Sequence, residues 1–100
     1  MAQRWYVYML ACRGGSLYTG VAVDVVARYA MHAAGAGAAY TRANPPRGIL
    51  AARRCADRGA AQKLEHALKQ LERPDKLAWA RRNPFVGRRI HRDTRAKSGV

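Results

Sequence analysis

The chain has 100 residues, with 19 Lys+Arg against 6 Asp+Glu and a formal net charge of +13. That length leaves room for one domain. The charge excludes an inert neutral globule and points to a polyanion, either nucleic acid or an anionic membrane surface. Leu, Ile, Val and Phe together make only 17 of the residues, a composition that leans towards disorder when net charge is high. Two Trp, five Tyr and three Met oppose that lean, because they cluster with the aliphatics in patterned segments. A small fold with a thin core is expected. No stretch approaches the roughly 18 apolar residues that span a bilayer. The apolar run at 5–12 is too short and too early for a secretory signal. A cytoplasmic protein with Cys12 and Cys55 reduced is the expectation.

Residues 5–12 are aromatic and β-branched, of strand length, and apolar throughout, as in a strand covered on both faces. Gly14-Gly15 marks a turn, and residues 17–21 complete a β-hairpin. Asp24 is a candidate N-cap for a helix to about Ala34, with Val25, Val26, Tyr29 and Ala30 at helical spacing. Residues 35–48, with three Gly and two Pro, read as a loop. Residues 49–56 read as a third strand. A helix starts at 57–59 and runs through Leu71, with Leu64, Leu68 and Leu71 on one core stripe. Pro74 and Asp75 suit the first turn of a last helix ending near Arg82, before Asn83-Pro84. The order β-β-α-β-α-α is an α+β fold: a small three-stranded antiparallel sheet flanked by helices. Residues 1–86 form the domain, and 87–100 read as a basic, disordered tail.

No phosphate loop, metal-ligand spacing or His-Glu-x-x-His motif occurs. What remains is a spaced polar set: Tyr8 and Tyr18 on the hairpin, Arg28 and His32 one helical turn apart, and Glu65 on the next long helix. Arg28 and His32 are i,i+4 and share a helix face. Two phenols, a guanidinium, an imidazole and a carboxylate suit metal-assisted phosphodiester cleavage. The carboxylate holds a divalent ion, the Arg fork stabilises charge on the phosphate, and a phenol activates water. The hairpin sets a condition. A two-residue turn at Gly14-Gly15 pairs Ala11 with Tyr18 and puts the two phenols on opposite faces. A three- or five-residue loop pairs Cys12 with Tyr18 and puts both on one face, roughly 13 Å apart along the strands.

Tyr6-Val7-Tyr8, ten residues before Tyr18-Thr19-Gly20, resembles the paired signature of the GIY-YIG nuclease superfamily. Arg28, His32 and Glu65 follow in the order of the family pattern. Tyr40-Thr41-Arg42 resembles the small stand-alone bacterial members. The resemblance covers about residues 4–85. It implies a metal-dependent DNA endonuclease using one Mg²⁺ or Mn²⁺. In that reading Tyr18 leads as the group activating water, with Tyr8 beside it. Arg28 contacts the scissile phosphate, His32 assists, Glu65 holds the metal, and Asn83 matches a polar residue near the family's C-terminus. The chain also departs from the pattern: Ala36, Ala39 and Val21 stand where relatives carry lysines. Lost cations remove one way of lowering a tyrosine pKa, so a catalytically weak or inactive nucleic-acid-binding protein of the same fold is the alternative.

Residues 81–100 hold seven Lys/Arg and one Asp, a net +6. With Arg42, the arginines Arg81, Arg82, Arg88 and Arg89 are the candidate nucleic-acid contacts, a phosphate tether indifferent to sequence. DNA is the expected partner, and RNA, as bound by a basic accessory protein, the other polyanion. A membrane is not expected, since no apolar face accompanies the charge.

Overall fold

The computed structural model describes residues 4–85. The tail at 87–100, with Arg88 and Arg89, lies outside the described residues. Strands β1 (Trp5–Cys12), β2 (Leu17–Ala22) and β3 (Pro46–Cys55) form one antiparallel sheet in the order β2-β1-β3. The helices are α1 (Val25–Ala33), α2 (Ala39–Ala43), α3 (Arg58–Lys69) and α4 (Arg73–Arg82). The expected α+β order holds. No helix among the described residues is long and apolar enough to cross a membrane.

β1 is apolar throughout because it is the central strand and both its faces are covered. Side chains alternate between faces. Val7 and Met9 point to one side and pack with Ala61 and Leu68 of α3 and with Trp79 and Ala80 of α4. Tyr8, Leu10 and Cys12 point to the other and pack with Val25 and Tyr29 of α1. The sheet is thus the middle layer of three. Each fully buried aliphatic contributes on the order of 1.5–3 kcal/mol, and the aromatics make up for the few aliphatics.

Asp24 and Asp57 cap α1 and α3 as expected, accepting from the amides of Ala27 at 2.9 Å and Ala60 at 2.8 Å. Pro74 sits in the first turn of α4. Three expectations need correction. The loop at 35–48 contains α2, a five-residue helix too short to show periodicity. The third strand begins at Pro46, because a proline is tolerated at the first position of an edge strand. Leu71 leaves the core stripe and is 38% exposed, since α3 ends at Lys69 and the next residues turn away.

The hairpin loop is the three-residue 3-10 turn Arg13–Gly15, with Gly14 and Gly15 at positive φ. It pairs Ala11 with Leu17 and Leu10 with Tyr18. An odd loop does put both phenols on one face, but the register differs from the expected Cys12–Tyr18 pair by two residues. Tyr18 therefore lies two residues from the partner of Tyr8, and the ring centroids are only 6.3 Å apart. β3 shifts register between Met9 and Leu10 and again between Ala11 and Cys12. The two extra residues, Leu50 and Arg47, are the exposed points of those bulges.

Candidate active site

Tyr8 stands opposite Gly20 of β2. A Cβ on Gly20 would meet the Tyr8 hydroxyl oxygen at 2.5 Å, so the phenol crosses β2 where that strand has no side chain. Its hydroxyl lies 2.9 Å from Nε2 of His32, which α1 brings over the same face. His32 Nδ1 lies 2.7 Å from Oγ1 of Thr41 on α2, and Thr41 Oγ1 lies 2.9 Å from the Ala38 carbonyl. A Cβ on Gly37 would collide with the His32 ring. The imidazole is thus seated in a space that only glycine leaves open.

The direction of each hydrogen bond follows from the end of the chain. The Ala38 carbonyl can only accept, so the single Thr41 proton goes to it. Thr41 Oγ1 therefore accepts from His32 Nδ1–H. Burial, and secondarily the Arg28 charge, hold the His32 pKa below the ordinary imidazole value, so the ring is neutral at pH 7 and carries one proton. That proton is on Nδ1. Nε2 is bare, and the Tyr8 O–H donates to it. No buried side-chain N or O among the described residues lacks a partner.

Other charges are felt at the same phenol. Burial raises the Tyr8 pKa well above the ordinary phenol range; the neighbouring Tyr18 and then Glu65 add to the rise, and Arg28 opposes it. Tyr18 packs against His32 with centroids 4.9 Å apart and stacks on Tyr40 at 5.9 Å. Arg28 is exposed on α1, one turn before His32. Glu65 is half-buried on α3, its Oε2 3.3 Å from Lys69 Nζ. Ala36 and Ala39 are exposed and Val21 is half-buried, so none of the three supplies a charge.

The structure brings Tyr8, Tyr18 and His32 into contact and puts Arg28 and Glu65 within electrostatic reach. Arg42 donates to the Gly37 carbonyl at 3.1 Å, bracing the turn that seats His32. Arg81 and Arg82 are exposed on the last turn of α4. Asn83 serves as a joint: its side chain donates to the Trp79 carbonyl and accepts from Arg53, and its carbonyl accepts from the Ala52 amide. Sequence reasoning missed Thr41, Gly20, Gly37 and Tyr40 as site residues. Thr41 and Tyr40 stand in a motif already singled out for Arg42. Gly20 closes the Tyr18-Thr19-Gly20 element already quoted, whereas nothing local marks Gly37, because its role is set by a ring from α1.

Among the described residues no three His, Cys, Asp or Glu side chains converge as a metal cage. A single carboxylate can hold a hard cation that keeps most of its waters. Glu65 fits that role, with Lys69 as its present counter-ion.

The molecule is a three-layer α+β domain in which two phenols and a neutral imidazole meet on one face of the sheet. The chain belongs to the GIY-YIG family: the model of the GIY-YIG catalytic domain matches residues 4–78. Similar proteins include a UPF0213 protein of Xanthomonas axonopodis pv. citri, 43% identical over 96 residues, 96% of this chain and 91% of that one. A UPF0213 protein of Cupriavidus pinatubonensis is 42% identical over 77 residues, 77% and 86% of the two chains. The solution NMR structure of the UPF0213 protein BH0048 from Bacillus halodurans is 40% identical, covers 73% of this chain and 78% of that one, and has a TM-score of 0.46.

Proposed function

We propose that the protein is a metal-dependent DNA endonuclease that hydrolyses phosphodiester bonds. The observation that carries this reading is the directed chain Tyr8→His32→Thr41→Ala38, with Tyr18 packed against its imidazole at 4.9 Å. Tyr8 is only 1% exposed, so its part is to hold the imidazole, and the half-buried Tyr18 is the phenol that water can meet. As the water oxygen attacks phosphorus and the bond to the leaving oxygen breaks, Tyr18 takes the water proton while its own proton passes to solvent, and the leaving oxygen takes a proton from solvent. Arg28 faces the phosphate with a guanidinium fork that meets growing negative charge. Glu65 would hold one Mg²⁺ or Mn²⁺, which supplies Lewis-acid polarisation of the phosphate when bound. The reading places the reaction in the cytoplasm, where DNA is the substrate and thiols such as Cys12 and Cys55 stay reduced.

The test is nicking of plasmid, branched and single-stranded DNA with and without Mg²⁺ or Mn²⁺. We expect metal-dependent cleavage that falls by at least about 100-fold in both Glu65→Ala and Arg28→Ala. Cleavage retained by both variants would overturn the assignment. Tight binding without cleavage would leave a nucleic-acid-binding protein of the same fold, for which the lost lysine positions at Ala36, Ala39 and Val21 speak.

A further inference from the structure

An open slot of about 260 Å³ runs beside the site, lined by Leu17, Tyr18, Thr19, Tyr40, Lys69 and Lys76. It wraps the outer edge of β2, which among the described residues pairs only with β1. Tyr18 belongs to both, so slot and site share a wall. On one side Tyr40 stacks on Tyr18 with the planes 28° apart and remains 41% exposed. Its backbone is held: the Tyr40 carbonyl accepts from the Asn44 side chain at 3.1 Å and from the Asn44 amide at 2.8 Å. On the other side stand two ammonium groups. Lys69 is paired with Glu65. Lys76, from α4, has no carboxylate partner among the described residues.

We propose that this slot is a subsite for one unpaired nucleotide next to the scissile phosphate. The base stacks on the Tyr40 ring, and Lys76 and Lys69 hold the phosphate. A rigid, half-exposed aromatic facing two cations is the chemistry of single-strand recognition, in which stacking tolerates any base and the cations follow the backbone. A base inside a duplex has both its faces covered and cannot use the Tyr40 shelf. The subsite therefore selects DNA with an unpaired nucleotide beside the cleavage point: a single strand, a flap or a branch. A phosphate drawn to Lys69 also competes with Glu65 for that ammonium.

The inference rests on the nuclease reading, and its test separates the two. The full chain is titrated, in EDTA and at fixed salt, with a single strand containing 2-aminopurine and with the matching duplex. We expect tighter binding of the single strand, with the fluorescence quenching that stacking produces. Tyr40→Ala should abolish the quenching and weaken single-strand binding by on the order of 5- to 100-fold, while Tyr40→Phe keeps both. Lys76→Ala should lower the slope of log affinity against log salt by about 0.7, and Lys76→Arg should restore it. Wild-type quenching and affinity in Tyr40→Ala, an unchanged salt slope in Lys76→Ala, or preference for the duplex overturns the subsite and leaves the nuclease reading standing. Failure of the wild type to bind either DNA overturns both.

Discussion

Thr41 shows how much a single hydroxyl decides. By accepting from Nδ1–H it selects the His32 tautomer that leaves Nε2 open to Tyr8. Thr41→Val leaves a buried N–H without a partner, at a cost of roughly 1–3 kcal/mol, and frees the tautomer. We expect a lower denaturant midpoint and a cleavage rate reduced by about tenfold or more, with Thr41→Ser close to wild type in both. His32 also makes stability depend on pH. Its folded-state pKa lies below the unfolded value, so the unfolded chain binds the proton more readily. Stability rises with pH across that window and is lost as pH falls through it. Denaturant midpoints should drop on going from about pH 7 to about pH 5. His32→Gln, which has no titrating ring, should lack that step. A step of equal size in His32→Gln would assign it to the rest of the charge.

At the scale of elements, the two hairpin tyrosines owe their proximity to a three-residue loop. Gly14-Gly15 made such a loop permissible from sequence alone, and the period of two then decided the faces. The distance did not follow, because a register slip of two residues leaves every side chain on the same face and the hydrophobic pattern unchanged. The caps Asp24 and Asp57 and the leucines of α3 were legible because each is a local signal at fixed spacing. Helix α2 was not, since five residues complete little more than one turn. Its existence depends on Thr41 and Arg42 bonding back to Ala38 and Gly37. α1 carries both Arg28 and His32, so its start matters to the site. Asp24→Ala should cost about 1 kcal/mol by chemical denaturation, with the loss recovered in Asp24→Ser. Equal stability of the Ala variant would show that the cap contributes nothing.

For the whole molecule, charge and fold act at different ranges. The +13 total governs encounter with a polyanion and screens with salt, whereas the residues around Tyr8 act within contact distance. Truncation after Val86 removes Arg88, Arg89, Arg92, Arg95 and Lys97. It should make the salt slope of DNA affinity shallower without moving the thermal midpoint of the domain. An unaltered slope would exclude the tail as a tether. Composition alone named a polyanion as partner, and the ordered spacing singled out Tyr8, Tyr18 and His32, three side chains that the structure brings into contact. The slot at the β2 edge was legible in neither. It is assembled from one strand, α2, α3 and α4, and no single segment of the chain carries its pattern.

The Tyr8 phenol and the His32 imidazole fill the room that a side chain at Gly20 and Gly37 would need. Saturation mutagenesis scored on activity would thus rank positions 20 and 37 alongside the reacting groups, although neither bears a functional group of its own. Intolerance there reports volume.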